Sequence, residues 1–251
     1  MTDAASTADA EIYEIPPEEI FSDDFTGDLA RWELFGVPEP EIRRDEHGRP
    51  GVFDNHGDVT CDSGAITNAP FDLRSGFVLE AEIFVEVTNR RGCWNHVLFG
   101  VAADRLNANC NGTQEPRGAL GLGLTYVGDA CWLERMQAPQ SVGHAWIHLS
   151  FADAFGTTDL STPTRFNPAL LGDALLSGWH RYVIRADHRR FVEFEVDGRR
   201  VARSRTALAE AEWMDWSRAR VMIQGRSSGS AGFAYVTALS LRVPGPLTLA
   251  R

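Results

Sequence analysis

Three short stretches gather the residue types that recognise polar ligands. In His144-Ala-Trp146-Ile-His148 a period of two puts both imidazoles and the indole on one face of a strand, with Ala145, Ile147 and Leu149 on the other. An indole between polar rings on an open sheet face can stack on a sugar ring while the imidazoles hydrogen-bond its hydroxyls. The competing reading is that Trp146 fills a core. Four strand rises separate His144 from His148, about 13 Å, too far to chelate one ion. Helical spacing would make them neighbours, but the aromatic and β-branched residues between them favour a strand. Trp94-Asn95-His96 follows the turn formers Asn89 to Cys93 and precedes an apolar run, at a loop edge of the kind that carries function. Trp132, with Glu134 and Arg135, occupies a similar edge after Gly128-Asp-Ala-Cys131. Both sites suit carbohydrate recognition, and both indoles also suit capping a core.

Two further segments offer ligand chemistry. Gln224-Gly-Arg226-Ser-Ser-Gly-Ser230 is glycine-rich and carries a guanidinium, so an anion could rest against its backbone amides. It has no P-loop lysine and no helix after it, so it reads first as a hairpin loop. It also lacks the Gly-x-Ser-x-Gly elbow of a hydrolase nucleophile. Asp104 to Asn111 concentrates oxygen ligands, with Asp104, Asn107, Asn109 and Asn111, and calcium is possible there. The spacing is not that of an EF-hand loop. No residue set amounts to a catalytic signature.

Composition removes several classes. All 24 basic residues are arginine, so a P-loop lysine, a Schiff-base lysine and a Ser/Lys nucleophile pair are impossible. A net charge of −11 disfavours nucleic acid, whose binding rests on clustered cations. No apolar run approaches the roughly 20 residues of a membrane span, and no basic, then apolar leader opens the chain, so a cytoplasmic location is the default expectation. Cys61, Cys93, Cys110 and Cys131 form no CxxC pair; free thiols are expected, two bridges remaining open. The oligomeric state is not legible.

The elements that must position these residues are strands. Residues 1–20 read as an acidic, disordered arm, and residues 21–251 as one domain. The clearest run is Phe77 to Val87, with Leu79, Ala81, Ile83, Val85 and Val87 on one face and Glu80, Glu82 and Glu86 on the other. Trp179 to Ala186 and Phe191 to Val196 make a pair, and Asp197-Gly198 turns the chain into Arg199 to Arg203, a strong hairpin signal. Further strands are expected at 97–102, 119–126, 145–151, 219–224 and 233–243. Only 206–216 has helical spacing. Many short strands without alternating helices predict an all-β, two-sheet antiparallel sandwich.

The order of these pieces resembles the concanavalin A-like lectin/glucanase superfamily, including its laminin-G-like members, over about residues 21–243. The matching elements are Phe21 to Phe25 with Trp32, Gly76-Phe-Val-Leu-Glu-Ala-Glu-Ile83, Gly178-Trp-His-Arg-Tyr-Val-Ile184 leading to Asp197-Gly198, and Ala234 to Leu241. The resemblance implies a jelly roll whose first and last strands pair in one sheet. It also implies a carbohydrate or glycan partner. The superfamily's glucanases carry a Glu-x-Asp-x-x-Glu strand supplying nucleophile and acid/base. The nearest string here, Glu80-Ala-Glu82 with Glu86, lacks the central Asp and has one residue too many, so a solvated polar face is expected. The leading expectation is a glycan-binding domain. A glycoside hydrolase or polysaccharide lyase of the same fold, and a structural or protein-interaction domain, are the alternatives.

Overall fold

The computed structural model describes residues 17–36, 39–54, 63–85, 94–102, 119–127, 144–152, 178–189, 191–203, 215–228 and 235–244, with residues 85, 94–98, 119–127, 144–152, 201–203 and 225–228 described by backbone path and pairing. Every regular element among them is a strand: β1 (Glu18–Asp23), β2 (Trp32–Gly36), β3 (Glu41–Arg43), β4 (Val52–Asp54), β5 (Ser63–Thr67), β6 (Phe77–Val85), β7 (Trp94–Ala102), β8 (Ala119–Val127), β9 (His144–Ala152), β10 (Gly178–Ala186), β11 (Val192–Val196), β12 (Arg199–Arg203), β13 (Arg220–Ser228) and β14 (Tyr235–Val243). Among the described residues no helix is long and apolar enough to cross a membrane.

The strands form two antiparallel sheets. The larger runs β12-β11-β10-β6-β14-β4-β3, with β1 also on β14, and the smaller runs β2-β5-β13-β7-β8-β9. Their facing sides build one core. Leu79, Ala81 and Ile83 of β6 and Tyr182, Ile184 and Ala186 of β10 meet Trp32, Ala65, Phe99, Val101, Val221 and Ile223 of the smaller sheet. The period of two read from the sequence is therefore the period that separates core from surface.

The first and last strands pair, Phe21 opposite Leu241 and Asp23 opposite Leu239. β1 opens at Glu18, so Glu18 to Ile20 of the expected arm belong to this strand, held by backbone pairing with β14. A bulge between Thr237 and Ser240, with Ala238 at φ 48°, lets the other end of β14 pair with β4. Thr237 Oγ1 donates to the Gly51 carbonyl at 2.9 Å there. A Cβ at Gly51 would sit 2.3 Å from the Phe25 carbonyl oxygen, so only glycine fits. Beside it the buried Asp23 carboxylate accepts from Trp32 Nε1 at 2.8 Å and from the Phe25 amide at 2.9 Å. This fixes the aromatic cluster Phe21, Phe25, Trp32 and Phe53. At the Asp197-Gly198 hairpin both residues take positive φ, 49° and 74°, as a type I′ turn requires. Asp197 also holds its Oδ2 2.7 Å from His180 Nδ1.

Two loop expectations are corrected. Gln224 to Ser228 is strand, paired residue for residue with Leu98 to Trp94, and Trp94-Asn95-His96 is the start of β7, not a loop before it. A continuous partner overrides the weak strand preference of Gly225 and the serines. The short strands β2 to β5 have too few residues to show alternation in the sequence. The expected helical segment lies outside the described residues except for its end, where Trp216 sits in a turn and is buried against Phe77.

Candidate functional site

The outward face of the smaller sheet is built by register. On β13, Val221 and Ile223 belong to the main core, so Arg220, Met222, Gln224, Arg226 and Ser228 alternate onto the opposite face. Pairing carries that face across three more strands. Arg226 stands opposite His96, His96 opposite Thr125, and Thr125 opposite Trp146. The row before it runs Gln224, Leu98, Gly123, His148. The row after it joins Ser228 to Trp94 and Val127 to His144. Neighbouring strands lie about 4.8 Å apart and same-face neighbours along one strand about 6.7 Å apart. Trp94, His96, His144, Trp146, His148 and Arg226, from three separate stretches of sequence, therefore occupy positions in a patch three rows deep and four strands wide.

Glycines floor the adjoining part of this face. Met222, Gly100, Gly121 and Ser150 make one row, and Gly123 falls in the next. Gly100 and Gly121 bring no side chains to this row, and at its β13 and β7 positions Met222 and Gly100 are buried. The signal was present in Ala119-Leu-Gly-Leu-Gly-Leu-Thr125, where leucine and glycine alternate. Toward β2 and β5 the same face is closed by a second buried cluster, Phe35 and Ile66 with Ala102 of β7 and Met222 of β13. Between cluster and patch lies Gln224, only 9% exposed, whose Oε1 is buried without a hydrogen-bond partner. The sequence showed Gln224 only as the first residue of a glycine-rich loop, and Thr125 and the glycines of β8 are not distinctive without their cross-strand neighbours.

The other candidates fall elsewhere. Asn95 stands opposite Ser227 and Tyr126, in alternation with Phe99 and Val101, on the core-facing side. Trp132 and Glu134 lie outside the described residues, as do the Asp104 to Asn111 loop and all four cysteines. Among the described residues no group of three His, Cys, Asp or Glu is placed to hold a metal ion.

Glu80 and Glu82 lie on the outward face of the larger sheet, away from this patch. Glu80 is bound by Arg181 and by Arg242 at 2.7 Å, and Glu82 by Arg49. The Glu80 hydrogen bond raises the Arg181 pKa above its ordinary value, the Coulombic attraction adding to it. Both carboxylates are thus engaged in ion pairs, as expected of a polar sheet face. The same surface carries an aromatic group in which His47 stacks on Phe84 at 3.7 Å, Trp179 Nε1 donates to the His47 carbonyl, and Arg49 lies over the Trp179 ring. These contacts fasten the β3–β4 hairpin onto the sheet.

No protein-family model matches the chain, and no curated protein matches it by sequence. Solved structures do match in fold. The carbohydrate recognition domain of Emp46p, as a point mutant, superposes with a TM-score of 0.55 at 13% identity, over 93% of this chain and 100% of that one. An endo-1,3-beta-glucanase from Streptomyces sioyaensis gives 0.57 at 15%, over 96% and 100%. A galectin-like protein of unknown function from Bacillus subtilis gives 0.52 at 13%, over 90% and 98%.

Proposed function

Starting from a chain that has the concanavalin A-like lectin/glucanase fold, we propose that it is a glycan-binding domain and that the patch on the smaller sheet is its binding surface. The observation that supports this most is the register that sets Trp146, Thr125, His96 and Arg226 side by side on β9, β8, β7 and β13. Such a row combines an indole for the apolar face of a sugar ring with donors and acceptors for its hydroxyls. Gln224 adds a further reason. A buried carbonyl without a donor costs roughly 1–3 kcal/mol, and a sugar hydroxyl delivered to that row would supply the donor.

The hydrolase reading has less support, since the carboxylates that suggested it are engaged by arginines on the other sheet. An array of neutral, acidic and amino glycans tests the proposal. Binding to at least one class, reduced at least tenfold in Trp146→Ala at unchanged melting temperature, is the expected result. Silence of the folded protein across the array, or full binding by the variant, refutes it.

A further inference from the structure

Resting on the glycan reading, we infer that the ligand of this face is an anionic polysaccharide. The ground is the distribution of charge that pairing imposes. Five alternate positions on each of β13, β7, β8 and β9 make up the face. None of these twenty positions is Asp or Glu, four of them, Gly100, Ala102, Met222 and Gln224, being buried. The ionisable residues at these positions are Arg220, Arg226, His96, His144 and His148. Arg220 is matched by Glu33 on β2, at 3.6 Å, at the far end of the sheet from the patch.

In a protein with a net charge of −11, these positions thus carry no carboxylate and include Arg226. Excluding carboxylates from a surface removes repulsion toward an anion as effectively as adding cations supplies attraction. Arg226 sits in the central row, between Gln224 and Ser228 along its own strand and opposite His96 across it. A guanidinium there can meet a carboxylate or sulfate ester through its paired donors. The flanking positions offer indoles to the sugar rings. Nucleic acid shares the negative charge, but its closely spaced phosphates would be repelled by the acidic remainder of the molecule.

The test uses the full chain against polygalacturonate, alginate and dextran sulfate, with laminarin and unmodified dextran as neutral probes and a single-stranded oligonucleotide as the other polyanion. At least one acidic polysaccharide is expected to bind about tenfold more tightly than either neutral glucan, with several-fold loss from 50 to 500 mM NaCl. Binding to polygalacturonate or alginate assigns a uronate, and binding to dextran sulfate alone assigns a sulfate ester. Arg226→Gln is expected to lose about tenfold toward the acidic probe. Arg226→Lys, which keeps the charge but not the paired donors, is expected to lose less than Arg226→Gln, both at unchanged melting temperature, so loss by misfolding is separable from loss of charge. Preference for a neutral glucan, salt-independent binding, or tighter capture of the oligonucleotide overturns the inference. A neutral preference would leave the glycan reading standing, whereas no polysaccharide bound at all would remove both.

Discussion

Replacing Tyr182 by phenylalanine should stabilise the protein. Tyr182 is fully buried in the centre of the sandwich, with its ring edge-on to Phe99 across the two sheets at 6.3 Å, and its hydroxyl has no hydrogen-bond partner. An orphaned buried hydroxyl costs about 1–3 kcal/mol. Removing it leaves a void of about 10 Å³, worth roughly 0.2 kcal/mol at about 24 cal/mol per Å³. The net gain is then about 1–3 kcal/mol, which raises Tm by roughly 2–12 °C in a chain of this size. The pH dependence gives an independent check. Burial pushes the Tyr182 pKa well above its ordinary value. Its protonated form is therefore favoured in the folded state, and the associated stability is complete below the unfolded value of about 10 and is lost as pH rises beyond it. Tyr182→Phe removes that loss, so the stability gap between the two proteins should widen above pH 10 by up to about 1.4 kcal/mol per unit. The absence of lysine leaves few other groups titrating there. Urea denaturation at pH 7, 10 and 11 measures both effects. A variant less stable at pH 7, or a gap that does not grow with pH, would refute the reasoning.

Four further substitutions probe the scaffold and the site. A Cβ at Gly64 would stand 2.2 Å from the Ile223 carbonyl oxygen, so Gly64→Ala should cost about 3 kcal/mol by forcing β5 from β13, whereas Gly27→Ala, with open space around it, should stay within about 0.5 kcal/mol; thermal melts distinguish them. Glu80→Gln and Glu82→Gln lie on the opposite sheet from the proposed surface, and each should leave glycan affinity within about twofold; a large loss of binding or of any glycan cleavage would move the site to that face.

What was legible before the tertiary structure is the commitment of each residue to one side of its strand. Leu79, Ala81 and Ile83 separate from Glu80 and Glu82 because successive side chains point oppositely, a local rule that needs no partner. The Asp197-Gly198 turn was readable for the same reason, since its positive φ values are a property of two adjacent residues. Which strands become neighbours is decided by pairing between distant segments. That pairing converts the glycine- and serine-rich stretch after Gln224 into strand by laying it along β7. It gathers Arg226, His96 and Trp146 into one row, sends Asn95 to the other side, and sets Glu80 and Glu82 among arginines of β10, β14 and the loop after β3. The sequence determined the faces because alternation is covalent geometry; the tertiary structure decided which faces coincide because hydrogen-bond register is set only when the sheets assemble around their core.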